Sequence, residues 1–356
     1  MFDIRLPAMR GKMGSRTYYS CLMPMKAVPQ LFKFSDWAGI SPEDREQRVL
    51  NQKRLPDLVS YLSENDDDYL YSSITASFKS EPKFEPFMEG SDIGFLIMQM
   101  GDELIINDGQ HRCASIVEAL KQGVQIEKHS ISVLLFPWEN TDRVQQMFSD
   151  LNRNVQKTSK SLDILFDKRD DLAAATLLMM EQVPVFRELT DKESVSLSTK
   201  STKLFTLAAL YDANVELLKD RMKKGQTHSI QENADLLSSY WSQISEHMAD
   251  WQKVLKGQKL ALEMRQERIS SHSTVLRALG SLGVDLVGRP GWQDELTALE
   301  NIDWSKKNPE WENVCIVSNS VVSNRQARAA TAAFIKDKLG LSLTESEAKS
   351  LEKGKK

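Results

Sequence analysis

Over the first 138 positions, apolar residues recur in short alternating or unbroken runs set apart by turn residues, the pattern of strands. Arg16–Met25 (RTYYSCLMPM) and Leu31–Phe34 carry such runs, punctuated by Pro24 and Pro29, while residues 1–15 read as a weakly held lead. Tyr69–Phe78, Gly94–Met100, Leu104–Asn107 and Ile131–Phe136 continue the series. Helical signals fall between these runs. Ser41-Pro42-Glu43-Asp44 places a serine N-cap, a first-turn proline and two acids ahead of a charged helix reaching about Arg54; Pro56 opens another, to about Leu62. The acidic stretch Ser63–Asp68 lacks the glycine and distal glutamate of a calcium loop and reads as solvated. A third helix opens near Gln110 and closes at Gly123. Strands that alternate with helices in this way predict an α/β or α+β domain over residues 1–138.

Past Trp138 the period changes. Thr141–Leu151 repeats at helical spacing, and LNRNVQKTSKSLDILFDKRDDLAAATLLMM then holds a polar basic turn and a long apolar helix. Ser201–Leu218, Asn233–Leu255, Lys259 to about Gly280, and Arg325–Leu339 continue the helical period; only Asn313–Val317 reads as a strand. Residues 139–356 are therefore expected to form a mostly helical domain ending in a frayed basic tail, EKGKK. The boundary is expected between 137 and 160. The chain as a whole is expected to be mixed, α+β.

Composition narrows the class of protein. Of the 356 residues, 41% are hydrophobic and 27% charged, enough apolar material for real cores. A formal net charge of −4 excludes a general polyanion-binding coat, so any contact with nucleic acid has to come from a local basic surface. Three widely spaced cysteines, Cys21, Cys113 and Cys315, form no C-x-x-C pair; neither a disulfide framework nor a zinc site is expected. The N-terminal stretch has no apolar targeting segment and no run approaches the roughly 20 residues of a membrane span, so the expectation is cytoplasmic, with no membrane partner.

Candidate chemistry centres on LIINDGQHRCASIVEAL, Leu104–Leu120. Strand, tight turn and helix follow one another here. A glycine between strand and helix leaves backbone N–H groups unobstructed at the positive end of the helix, which favours an anion such as a phosphate. Gly109, Gln110, His111 and Arg112 are the candidate phosphate-binding residues, with Arg112 and His111 as side-chain donors. Asp108 either caps the helix or, if the protein hydrolyses a nucleotide, is the catalytic candidate that orients magnesium or water. Arg112 could equally pair with an internal carboxylate, and Cys113, on an apolar helix face, reads as a packing residue. Further along, Asn152, Arg153, Asn154, Lys157 and Lys160 form a polar, basic loop; the alternatives are contact with nucleotide or DNA phosphates, or a solvated connector.

The motif IINDGQHRCASI, followed by MFSDLNRNVQKTSKSLDILFD, resembles the DGQHR-domain proteins. More closely, residues 16–340 resemble the DndB family, regulatory members of bacterial DNA phosphorothioation systems. Supporting stretches are NQKRLPDLVSYL, YLYSSITASF and SLSTKSTKLFTLAAL. What this resemblance implies is a DNA-binding repressor of the modification genes, with double-stranded promoter DNA and other phosphorothioation proteins as partners. It would not be the sulfur-inserting enzyme. The DNA-contacting residues would be Asn152, Arg153, Lys157 and Lys160. A more distant similarity of Gly109–Arg112 to the phosphate turn of the ParB/sulfiredoxin fold implies a ParB-like N-terminal domain that could hold ATP or CTP with magnesium. In sulfiredoxin a nucleophilic cysteine directly precedes the His-Arg pair; Gln110 stands there and cannot attack.

Three functions remain open on this reading: a DNA-binding regulator, a nucleotide-dependent switch or NTPase, and a protein–protein regulator of the modification enzymes. No resident metal is expected. No helix-turn-helix is clear, although Ser270–Gly283 has a helix–glycine cadence that could belong to one. A homodimer is the default for a protein that reads a palindrome.

Overall fold

The N-terminal residues depart first from the sequence pattern. Asp3–Met13 is an 11-residue strand, β1, not a loose lead. Only Leu6 and Ala8 of it are buried, so its own pattern is faint. It is held between β2 (Arg16–Pro24) and the later strand β5 (Ile93–Gln99), antiparallel to both. Arg10 and Arg5 add ion pairs to Asp92 and Glu85 at 2.9 and 3.1 Å.

The protein is seen in a computed structural model that describes residues 3–32, 51–80, 82–99, 102, 104–153, 158–223 and 228–355. The chain divides into two compact units, Met1–Gln156 and Lys157–Lys356. Among the described residues helix covers 52% and strand 19%, so the class is α+β.

In the first unit the remaining elements are α1 (Val28–Leu31), α2 (Leu55–Glu64), β3 (Ile74–Phe78), β4 (Lys83–Pro86), β6 (Leu104–Asp108), α3 (Gln110–Lys121), β7 (Ser130–Pro137) and α4 (Thr141–Arg153). The seven strands form one sheet in the order β4-β5-β1-β2-β7-β3-β6. Every neighbouring pair is antiparallel except β3 with β7. Of the strand expected at Leu31–Phe34, Leu31 is instead the end of α1, where Pro29 presets helical φ, and Phe32 makes a single bridge to Leu104; Lys33 and Phe34 lie outside the described residues. The helix expected from Ser41 to Arg54 lies outside the described residues up to position 50; Gln52–Arg54 is a single 3-10 turn leading into α2.

Alternation along β6 divides its burial. Leu104 and Ile106 join a core with Ile74, Ala76, Val133 and Leu135, to which α1, α2 and α3 also contribute. Ile105 joins Phe136, Val144 and Met147 in a smaller cluster supplied partly by α4. Strand β6 thus buries both faces, as its unbroken apolar run requires.

The second unit is helical: α5 (Lys160–Phe166), α6 (Asp171–Gln182), α7 (Pro184–Leu189), α8 (Leu207–Lys223), α9 (Ile230–His247), α10 (Ala249–Leu255), α11 (Ala261–Glu267), α12 (Ser273–Leu286), α13 (Trp292–Glu295), α14 (Arg325–Lys338) and α15 (Glu345–Lys355). Two-residue strands pair β8 (Thr190–Asp191) with β9 (Phe205–Thr206) and β10 (Ile316–Val317) with β11 (Ser320–Val321). Phe186, Phe205, Trp241 and Trp251 interlock edge to face or tilted at the centre, with ring centroids 5.1–5.8 Å apart.

Ser270–Gly283 is not a DNA-reading motif. Helix α12 is buried along Thr274, Val275, Leu276, Ala278, Leu279 and Leu282, whereas a recognition helix must present a face to the groove. Its glycines serve close packing: a Cβ on Gly280 would stand 2.2 Å from the Ala213 carbonyl oxygen of α8. Helix α15 runs on through Lys355, into the EKGKK stretch expected to be a frayed tail; its anchors lie upstream of that stretch, at Glu347, 3.1 Å from Lys336 Nζ, and at buried Leu351.

Candidate functional site

The DGQHR turn forms where the sequence places it. Strand β6 ends at Asp108, Gly109 occupies the helix N-cap, and α3 begins at Gln110. Gly109 has φ +100°, a left-handed conformation costly for any residue with a Cβ. A Cβ there would also meet Arg112 Nη2 at 2.9 Å. Glycine is thus required twice, by the backbone and by the guanidinium lying across it.

Arg112 is engaged within the fold. Its Nη2 donates to Asp108 Oδ2 at 2.6 Å and to the Ser73 carbonyl at 3.3 Å, and its Nη1 donates to Ser72 Oγ at 2.5 Å. Its Nε is buried and has no acceptor among the described residues. Asp108 therefore does not cap α3: it stands one residue too early, and no side-chain cap bond forms at Gly109. The carboxylate instead neutralises the arginine four residues on, across the first turn of the helix.

The surroundings lock this arrangement. Ser115 Oγ lies 2.9 Å from both the Tyr71 hydroxyl and the Arg112 carbonyl. Burial pushes the Tyr71 phenol above its ordinary value, partly offset by the Ser115 hydrogen bond. His111 Nε2 accepts from the Asn51 backbone N–H at 3.2 Å. Under β6, Asn107 is 2% exposed and donates to Ser77 Oγ at 2.9 Å, while its Oδ1 finds no partner among the described residues. Asn107 sits where the β3–β6 register shifts, at a bulge that rotates the strand end into the turn.

Asn51, Tyr71, Ser72 and Ser73 were not singled out from sequence, yet they complete the site. They lie in NQKRLPDLVSYL and YLYSSITASF, so the stretches that carry the family resemblance pack on the DGQHR turn itself. A magnesium–nucleotide would find one carboxylate here, already held by Arg112. Its phosphate would have to take Arg112 from Asp108, after which Asp108 could meet the metal, as Mg²⁺ sites need only one or two carboxylates beside phosphate oxygens. Among the described residues no group of three or more His, Cys, Asp or Glu is placed to hold a metal ion.

The basic-loop candidates are distributed differently. Asn152 and Arg153 belong to the last turn of α4, in the first unit. Asn154 and Lys157 lie outside the described residues. Lys160 opens α5 in the second unit behind the Ser159 N-cap; its ammonium pairs with Asp212 at 2.5 Å and lies over the Tyr211 ring. The cysteines are all buried and unpaired. Burial pushes the Cys21 thiol up to about 12 and that of Cys315 to about 11, and raises Cys113 as well, although Arg112 opposes the rise. Cys113 is thus a packing residue, not a nucleophile.

Fold and site together define an α+β protein whose strand–glycine–helix turn is closed by an internal Asp–Arg pair. The family model described as DndB, DNA-sulfur modification-associated, matches residues 6–342. The chain belongs to that family and is part of DNA sulfur modification. No curated protein and no solved structure matches it. Among the described residues no helix is long and apolar enough to cross a membrane.

Proposed function

We propose that the protein is a DNA-binding repressor of a DNA phosphorothioation gene cluster, acting as a homodimer on promoter DNA. The observation that supports this is membership of the DNA-sulfur modification family across both units. The DGQHR turn is, on this reading, the control point. A nucleotide phosphate entering at the positive end of α3 exchanges one anion for another at Arg112, releasing Asp108 and the Ser72–Ser73 segment. The exchange adds the charge of the phosphates to a turn that keeps the Asp108 carboxylate, so it needs the magnesium ion or the positive end of α3 to offset it. Mobility shift of the cognate promoter with and without ATP or CTP tests both parts. A shift that either nucleotide changes, and that Arg112→Ala makes insensitive, is the expected result. Absence of any shift at low salt would sink the DNA reading and leave a protein–protein regulator of the modification enzymes.

One feature favours a second reading of the turn. The Asp108–Arg112 pair already supplies the anion, so the motif serves equally as a structural joint without ligand. A wild type that binds DNA but neither nucleotide would establish the joint alone.

A further inference from the structure

Two serine-rich stretches far apart in sequence, Val195–Lys203 and Ser270–Ser273, meet around one cavity of about 470 Å³ inside the second unit. Both stood out in the sequence, and the site already described uses neither. Ser271, His272 and Ser273 line the cavity at the start of α12, a 14-residue helix. His272 is the N-cap and makes no side-chain cap bond; Val275 N–H donates to the His272 carbonyl at 2.9 Å, which leaves the Ser273 and Thr274 amides of the first turn to be matched. Ser271 is 6% exposed, and its Oγ has no hydrogen-bond partner among the described residues. A buried hydroxyl left unmatched beside a cavity costs free energy unless a guest supplies the partner.

The charges point the same way. Arg265 and Lys306 line the cavity, and no aspartate or glutamate does, although the chain carries a net charge of −4. Arg265 donates to the carbonyls of Ser198 and Ser201 at 2.9 and 3.1 Å, and Lys306 donates to the Arg265 carbonyl at 2.8 Å. These partners are neutral carbonyls. Burial lowers the basicity of both cations, with no acid opposing it. Two partly buried cations bonded only to carbonyls, a helix N-terminus and a serine with an unmatched hydroxyl thus border one space.

We propose that this cavity binds the phosphate group of a small phosphate monoester, held by the Ser273 and Thr274 amides of α12, Ser271, Arg265 and Lys306. A monoester carries about −1.5 to −2 charges near pH 7, which matches two cations; a DNA backbone phosphate carries one and sits on a stiff duplex. The volume lies within the range of small-molecule sites, about 300–1,000 Å³. Leu204, Phe205 and Leu262 line the cavity and give apolar cover for the organic part. The site is separate from the DGQHR turn, and its occupancy does not depend on what that turn binds.

Calorimetric titration of the full chain with inorganic phosphate and with AMP, at matched ionic strength, tests this. The variants are Ser271→Ala, Lys306→Met and, as a control on the other site, Arg112→Ala. Binding of AMP to the wild type is expected to weaken about 10- to 100-fold in Lys306→Met and roughly 3- to 10-fold in Ser271→Ala. It should persist in Arg112→Ala. Ser271→Ala removes an unpartnered group, so its melting temperature without ligand should hold or rise, which separates loss of binding from loss of fold. The proposal is overturned if neither probe binds the wild type, or if both variants bind as the wild type does. It is overturned as well if Arg112→Ala alone abolishes binding, or if Lys306→Met weakens promoter DNA and leaves AMP unchanged, making the cavity a backbone-phosphate contact.

Discussion

Replacing Arg112 by alanine tests whether the DGQHR turn is closed by its own ion pair. The substitution removes a charge-assisted bond to Asp108 and two bonds to the Ser72–Ser73 segment. The carboxylate side chain is 40% exposed, so its share is discounted for solvent screening to about 1 kcal/mol. The two remaining bonds contribute about another 1 kcal/mol net. A loss of about 2 kcal/mol in a unit of this size lowers the melting temperature by roughly 4–8 °C. Differential scanning calorimetry of the ligand-free full chain measures it directly. A double-mutant cycle with Asp108→Ala isolates the pair, with an expected coupling of about 1 kcal/mol. A ligand-free Arg112→Ala that melts within about 1 °C of the wild type, or a coupling near zero, refutes the closed-turn account.

Three further outcomes follow from the geometry. If DNA binding rests on four to six phosphates, log K should fall with log salt with a slope between about −3.6 and −5.4; Lys160→Ala, whose ammonium is held by Asp212 and Tyr211, should flatten that slope less than Arg153→Ala does in mobility shifts across a salt series. Gly280→Ala should destabilise the second unit by about 1–3 kcal/mol in urea titration, because α8 must move to admit a Cβ now 2.2 Å from the Ala213 oxygen. Burial first, and the nearby Lys306 and Arg265 charges second, lower His272 to about 4 in the fold from an ordinary 6.5. The unfolded chain therefore takes up the proton first, and the stabilisation, up to about 3 kcal/mol, is complete above pH 6.5 and lost as pH falls toward 4. His272→Gln should flatten this acid limb in melting curves, and an unchanged limb would count against it.

Sequence alone determined the elements whose causes are local. Leu104–Asp108, Gly109 and the helix after it were legible because an unbroken apolar run, a residue free to take φ +100° and a 3.6-residue period act within a dozen neighbours. The helices of the second unit were legible for the same reason, and family membership was legible in motifs. What depended on partners distant in sequence was decided only by the tertiary structure. Strand β1 buries just Leu6 and Ala8 and owes its form to β5, some eighty positions on. The helix that leads into EKGKK is likewise set from a distance, because its anchors are Lys336, which receives Glu347, and the core, which receives Leu351. The partners of Arg112 divide the same way. Asp108, four residues back, was foreseeable as an internal carboxylate, whereas Ser72 and Ser73 were not. Hydrophobic periodicity records which face of an element is buried. It does not record which polar groups the fold then brings face to face, and around the DGQHR turn those encounters decide what Arg112 and Asp108 are bonded to.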